Sequence, residues 1–175
     1  MRAQPNIVLT GTPGTGKSTH ADALAAALPA LRALDVGAYA RSKALTKAYD
    51  EAWASWELDE EALLDALEEE VRPGGVVLDW HCSEIYPERW VDLVVVLTCD
   101  HELLWTRLEK RGYSLAKIQE NNTAEIMQVS LSEAYGAYDE RCIVQLKSES
   151  SDDVDANVAR IVAWVEQWRK ERSEE

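Results

Sequence analysis

Positive charge, cysteine and long apolar runs are all scarce in this chain of 175 residues, and each shortage excludes something. Lys and Arg number 18 against 32 Asp and Glu, a net charge of −14. That balance argues against a large nonspecific nucleic-acid surface, because such surfaces bind through phosphate contacts. It suits a basic partner instead. The three cysteines, Cys82, Cys99 and Cys142, are odd in number and lack metal-type spacing. A reducing compartment fits them, and Cys99 and Cys142, in or beside apolar runs, are expected as buried thiols. No hydrophobic run reaches membrane-spanning length, and the first residues read as strand rather than signal peptide. A soluble, intracellular protein with no membrane role is expected. There is no internal repeat and no linker, so residues 1–175 read as one domain with a sizeable core.

What is present is a nine-residue run, Gly11-Thr-Pro-Gly-Thr-Gly-Lys17-Ser18-Thr19, that fits G-x-x-x-x-G-K-[ST]. Gly11, Gly14 and Gly16 have no Cβ, so the backbone can curl and turn its N–H groups inward. At the start of a helix those donors favour an anion. Lys17 adds a mobile positive charge for a phosphate, and Ser18 a hard oxygen for Mg²⁺. The flanks agree. Asn6 to Thr10 reads as a buried strand, and Ala21, Leu24, Ala25 and Leu28 recur at helical spacing before Pro29.

Four more apolar runs read as strands: Leu31 to Val36, Val76 to Asp79, Leu93 to Leu97 and Cys142 to Leu146. Continuous apolar strands separated by helices predict a five-stranded parallel sheet in a three-layer α/β domain. Two helices are expected between Val36 and Val71, the second capped by Asp59. A long helical excursion, interrupted at Gly112, should fill Asp100 to Arg141. Ser148 to Asp155 reads as a loop, the tail from Glu171 as a frayed end. The last helix carries Val154, Val158, Ile161, Val165 and Trp168 on one stripe.

Asp79 ends the third strand. Beside a phosphate loop it is placed to hold Mg²⁺, directly or through water; otherwise it caps a turn. His81 could orient water or phosphate, or bond within the turn. Arg107 and Arg111, four apart on a helix, either clamp phosphates or pair with acids such as Glu109. Arg41 stands alone in a helical segment. Trp53, Trp56, Trp80 and Trp90 could stack on a base or fill core. No N-K-x-D guanine signature follows the fourth strand, where Leu97-Thr-Cys-Asp100 stands, which weakens a GTPase switch.

Together, GTPGTGKST, LDVGAYAR (34–41), AYDEAW (48–53), VVLDWH (76–81), YPERW (86–90), RLEKRGY (107–113), AEIMQV (124–129) and VEQW resemble the adenylate kinase isoenzyme 6 family. Its members are also described as coilin-interacting nuclear ATPases and ribosome-biogenesis factors. The resemblance covers nearly the whole chain. It implies a P-loop NTPase fold of nucleoside-monophosphate-kinase type, with an NMP-binding excursion over about 35–58 and a short lid over about 110–120. It implies ATP + AMP ⇌ 2 ADP with Mg²⁺, dAMP or CMP as further acceptors, and a slow ATPase. It also implies a role in small ribosomal subunit maturation, in nucleus and cytoplasm, through a basic ribosomal protein of the pre-ribosome. By position, Gly14, Thr15, Gly16, Lys17, Ser18 and Thr19 resemble the ATP-phosphate contacts. Asp79 and His81 resemble the Walker B pair, Gly37 and Arg41 contacts to AMP, and Arg111 a lid group facing ATP. Lys17, Arg41, Arg107 and Arg111 would share the transition-state charge. Two departures stand out: members carry Gly-Asp where this chain has Gly37-Ala38, and often Gly where it has Cys82. Both bear on acceptor preference.

Overall fold

Successive side chains of the strands are buried on opposite faces of the sheet, and that alternation builds the molecule. The computed structural model describes residues 2–174. Strands β1 (Ile7–Thr10), β2 (Arg32–Asp35), β5 (Val76–Asp79), β6 (Leu93–Thr98) and β7 (Ile143–Lys147) form one parallel sheet in the order β2-β5-β1-β6-β7. Val8, Val76, Leu78, Val94 and Val96 face one side; Ile7, Leu9, Val77, Val95 and Leu97 face the other. With side chains of period two and both faces covered, the strands need apolar residues throughout.

Helices α2 (Val36–Ser42), α3 (Glu60–Val71) and α6 (Val129–Ala137) cover the first face, with Leu63, Leu67 and Ala134 among the buried contacts. Helices α1 (Lys17–Ala27) and α7 (Ser151–Ser173) cover the second through Leu24, Ile161 and Val165. Helices α4 (His101–Lys110) and α5 (Leu115–Ile126) share a small core of Leu104, Leu108 and Ile118. The five strands stand within one residue of their expected bounds, and Asp59 caps α3 by accepting from the Ala62 N–H at 3.2 Å.

Several expectations are corrected. Between α2 and α3 lies an antiparallel hairpin, β3 (Thr46–Asp50) and β4 (Ser55–Leu58), in addition to the two helices. Its turn holds Ala54 at φ 47°, and neither strand shows a clear alternation in sequence. The stretch after Asp100 is helical and interrupted at Gly112 as expected, in three helices, with Gly112 at φ 74° ending α4. Ser148 to Asp155 is largely the start of α7, because the Ser150 hydroxyl and the acids Asp152 and Asp153 cap its N-terminus. Helix α7 continues through the expected frayed tail to Ser173; Glu175 lies outside the described residues. Cys99 and Cys142 are half-buried rather than buried.

Asn6 staples the base of the sheet. It is 1% exposed, donates to the carbonyls of Val71 (2.9 Å) and Trp90 (3.0 Å), and accepts from the Val76 N–H (3.1 Å). It thereby joins the start of β1 to α3, β5 and the turn before β6. Replacing Asn6 by Ala strips this partner from the Trp90 carbonyl and the Val76 N–H, and leaves the Val71 carbonyl with the Gly74 N–H at 3.0 Å. Unfolding free energy should fall by roughly 3 kcal/mol, read from urea denaturation monitored by tryptophan fluorescence; a loss under about 1 kcal/mol would remove the staple from the account.

Candidate active site

The C-terminal ends of β1 and β5 meet because Leu9 is in register with Asp79. The loop after β1 curls over this edge. Gly14 (φ 95°) and Gly16 (φ 94°) adopt a conformation that side chains resist. Space is short as well. A Cβ on Gly14 would lie 2.9 Å from Leu104 Cδ1, and one on Gly16 would lie 3.0 Å from Ser148 Oγ. The curl therefore rests on α4 and on the segment after β7.

Inside the curl, the half-buried Lys17 ammonium donates to the carbonyls of Gly11 (2.8 Å) and Thr12 (3.3 Å). Burial holds its pKa down at about 8, against the raising influence of Asp79, with Arg111 lowering it further. Ser18 Oγ donates to Asp79 Oδ2 at 2.7 Å. Burial raises the Asp79 carboxyl above its ordinary value, opposed by the Ser18 hydrogen bond and the Lys17 charge. A buried carboxylate beside a hydroxyl is a hard-oxygen pair that a divalent cation relieves, so these two residues fit Mg²⁺. Among the described residues no three His, Cys, Asp or Glu side chains gather at one point. A cation here would rest on Ser18, Asp79, water and phosphate oxygens.

A cleft of about 1210 Å³ runs from the loop to the β3–β4 hairpin. Gly14, Gly16, Lys17, Ser18, Thr19, Gly37, Arg41, Asp79, His81 and Arg111 all line it. So do Trp53, Trp56 and Trp80, whereas Trp90 is buried in the core. His81 is exposed, yet desolvation within the cleft, then Lys17 and Lys117, hold it below its ordinary pKa and favour neutral imidazole. Two expected residues are elsewhere. Thr15 is fully buried inside the loop, its hydroxyl donating to the Thr12 carbonyl at 2.8 Å. Arg107 neither lines the cleft nor pairs with Glu109: its guanidinium donates to the carbonyls of Gly14 (3.2 Å) and Ser148 (3.0 Å). Those carbonyls sit within its reach and, once buried, need a donor, whereas a solvent-exposed acid such as Glu109 is already satisfied by water.

Known proteins place this arrangement. Residues 7–128 match the family model described as an AAA domain. The adenylate kinase isoenzyme 6 homolog of Schizosaccharomyces pombe is 46% identical over 169 residues, 97% of this chain and 96% of that protein. The chain belongs to the adenylate kinase isoenzyme 6 family. The Saccharomyces cerevisiae member, FAP7, is 42% identical over 95% of this chain and 85% of its own length. Among solved structures, shikimate kinase from Bacteroides thetaiotaomicron superposes with a TM-score of 0.64 at 18% identity, covering 93% of this chain and 99% of that one. That likeness concerns the fold, a three-layer P-loop NTPase.

Within this family frame, one departure, Cys82, lines the cleft, while Ala38 does not and adjoins the lining residue Gly37. Ala38 donates its N–H to Asp35 at 2.9 Å in the first turn of α2. Cys82 lines the cleft, and burial pushes its thiol up to about 12, so it stays protonated. Three supporting residues escaped sequence reasoning. The single hydroxyl proton of Tyr138 lies between the carbonyls of Ser83 and Tyr86, tying down the loop that follows Asp79. Glu125, 8% exposed, bonds to Thr12. His20, fully buried, bonds through Nδ1 to the Gly16 carbonyl (2.8 Å) and through Nε2 to Asn157 Nδ2 (3.1 Å), which also donates to the Lys147 carbonyl (2.7 Å). For His20 one signal was readable: it stands four residues after Gly16, one helical turn on.

The His20 contacts fit one neutral tautomer, with Nδ1 donating and Nε2 accepting; a proton on Nε2 would face the Asn157 amide. Burial accordingly lowers its pKa, against the raising effect of the Gly16 carbonyl. The unfolded chain takes up this proton first, near pH 6.5. His20 therefore contributes stability that is full above about pH 6.5 and is lost as pH falls toward its lowered folded value. Urea midpoints should drop as pH falls below about 6.5, and His20→Gln should flatten that drop. An equal slope in the variant would assign the effect to other groups.

Proposed function

We propose that this chain transfers the terminal phosphoryl group of ATP to AMP in a Mg²⁺-dependent reaction and slowly hydrolyses ATP without acceptor. One observation carries the reading: a single cleft joins the phosphate loop, with Lys17, Ser18 and Asp79, to a second cation, Arg41, across the open edge of the sheet. ATP belongs at the loop. The acceptor monophosphate belongs between Asp35 and Leu58, its phosphate held by Arg41 and the Gly37 backbone, with dAMP and CMP as further acceptors. A Cβ on Gly37 would stand 3.4 Å from Arg41 Nη1, so glycine there leaves the guanidinium room to reach a ligand.

Phosphoryl transfer asks the protein for position and charge rather than covalent chemistry. Lys17 exchanges the Gly11 and Thr12 carbonyls for phosphate oxygens and follows them. Arg111, on the segment 110–120 that serves as a lid, closes from above. Ser18 and Asp79 hold Mg²⁺, which when bound neutralises charge on the transferring phosphate. Neutral His81 orients the acceptor oxygen or a water. Arg107 and Thr15 shape the loop from behind, and Thr19 contacts phosphate at its outer edge.

A coupled assay with ATP alone, then with ATP plus each monophosphate, separates hydrolysis from transfer. Lys17→Ala should remove both activities, a loss on the order of 3 kcal/mol or more in barrier height. Arg41→Ala should raise the KM for AMP and spare the ATPase. Equal losses of both activities in Arg41→Ala would move the acceptor elsewhere.

A second reading is supported by the charge of −14 and by the family resemblance. ATP binding and hydrolysis would switch the grip on a basic small-subunit ribosomal protein during ribosome maturation, in nucleus and cytoplasm, with kinase activity incidental. Such binding should weaken steeply with salt, because exposed charges are screened beyond about 8–10 Å at physiological ionic strength. Titrations at low and moderate salt, with ATP or ADP, test it; salt-indifferent affinity or tight binding to naked RNA would count against it.

A further inference from the structure

Helix α5 carries a buried acid that the proposed chemistry does not use. Glu125, in its last turn, is 8% exposed. Its Oε2 accepts from Thr12 Oγ1 at 2.6 Å, and its Oε1 accepts from the Cys99 N–H, just past β6, at 2.9 Å. One carboxylate thus joins the phosphate loop, the end of a central strand and the helix that follows the lid turn. One to two turns earlier along α5, Lys117, Glu120 and Asn121 line the cleft.

Thr12 occupies a position that the phosphate-loop pattern leaves free, yet it is 3% exposed and central to the loop's internal bonding. Its carbonyl accepts from the Thr15 N–H (3.2 Å), the Thr15 hydroxyl (2.8 Å) and Lys17 Nζ (3.3 Å). Moving Thr12 therefore moves the group on which Lys17 rests. A hydrogen bond to a buried carboxylate is among the stronger ones, since charge assists it and little water competes.

We propose that Glu125 is a positioning residue that ties the phosphate loop to α5 through Thr12, so that the lid segment and the seat of Lys17 move as one unit. This rests on the nucleotide-kinase reading of the cleft for its consequence, but the tether itself is measurable without nucleotide. The informative variants are Thr12→Val, which removes the hydroxyl at nearly constant volume and leaves Glu125 its bond to Cys99; Thr12→Ser, which keeps the hydroxyl; and Glu125→Met, which removes both acceptors.

In the free protein, amide hydrogen exchange at 123–127 should quicken in Thr12→Val, and exchange at 11–16 should quicken in Glu125→Met. By calorimetry, ATP affinity should fall about tenfold in Thr12→Val, the size of one charge-assisted bond. Thr12→Ser should restore it, AMP affinity should not move, and the double variant Thr12→Val/Glu125→Met should be no worse than Glu125→Met alone. A general structural role would instead lower both nucleotide affinities together. Additive losses in the double variant, or exchange at 123–127 unchanged by Thr12→Val, would overturn the tether. Coupled exchange in a protein that binds no ATP would uphold the tether and reject the nucleotide reading.

Discussion

Two opposite charges, Lys17 at the start of α1 and Asp79 at the end of β5, are drawn part of the way out of water side by side, and the molecule is organised around making that tolerable. Neither is neutralised in full. Burial lowers the pKa of the lysine and raises that of the carboxylate, the two directions that signal incomplete compensation. Lys17 is held by carbonyls that a phosphate can replace, and Asp79 by a hydroxyl that a cation can share. Such a site is poised for a polyanion with its metal, since each would satisfy one half of an unfinished pair.

The scaffold supports this by strands and backing rather than by the cleft residues themselves. The register of β1 with β5 sets the lateral distance between the loop and Asp79. Behind the loop, Arg107, His20 and Glu125 each take up a backbone or hydroxyl group of residues 12 to 16, from α4, α1 and α5 respectively. None of these three lines the cleft. Together they fix the curl from outside, leaving its inward N–H groups free for an anion. The second half of the cleft is built differently. The β3–β4 hairpin packs little behind it and exposes Tyr49, Trp53 and Trp56. That wall is suited to movement and to planar ligands.

The sheet, the loop and the end of β5 were legible in the sequence because they rest on local signals. Apolar runs at the length of a strand, glycines at fixed offsets and an acid at a strand end each carry their meaning within ten residues. The hairpin was not legible. Thr46 to Leu58 is mostly exposed, so no buried face imposed a period of two, and its partner strands stabilise each other chiefly through contacts such as the Tyr49–Trp56 pair, with ring centroids 5.0 Å apart. The start of α7 was hidden for a related reason: Ser, Asp and Glu read as loop unless their role as caps is recognised.

By itself, the sequence determined that a phosphate loop sits between a buried strand and a helix, that Asp79 ends a neighbouring apolar strand, and that the chain is strongly acidic. Only the tertiary structure decided which arginine faces the cleft. Arg107 and Arg111 are equivalent by spacing, but α4 ends at Lys110, so Arg111 caps the helix and turns into the cleft while Arg107 turns under the loop. The same holds for Glu125, His20 and Asn157, whose partners lie 113 and 137 residues away along the chain for the first two contacts. A hydrogen bond formed across that separation leaves no periodic or compositional trace. It exists because packing brings a buried donor and acceptor together, and a buried polar group must find a partner.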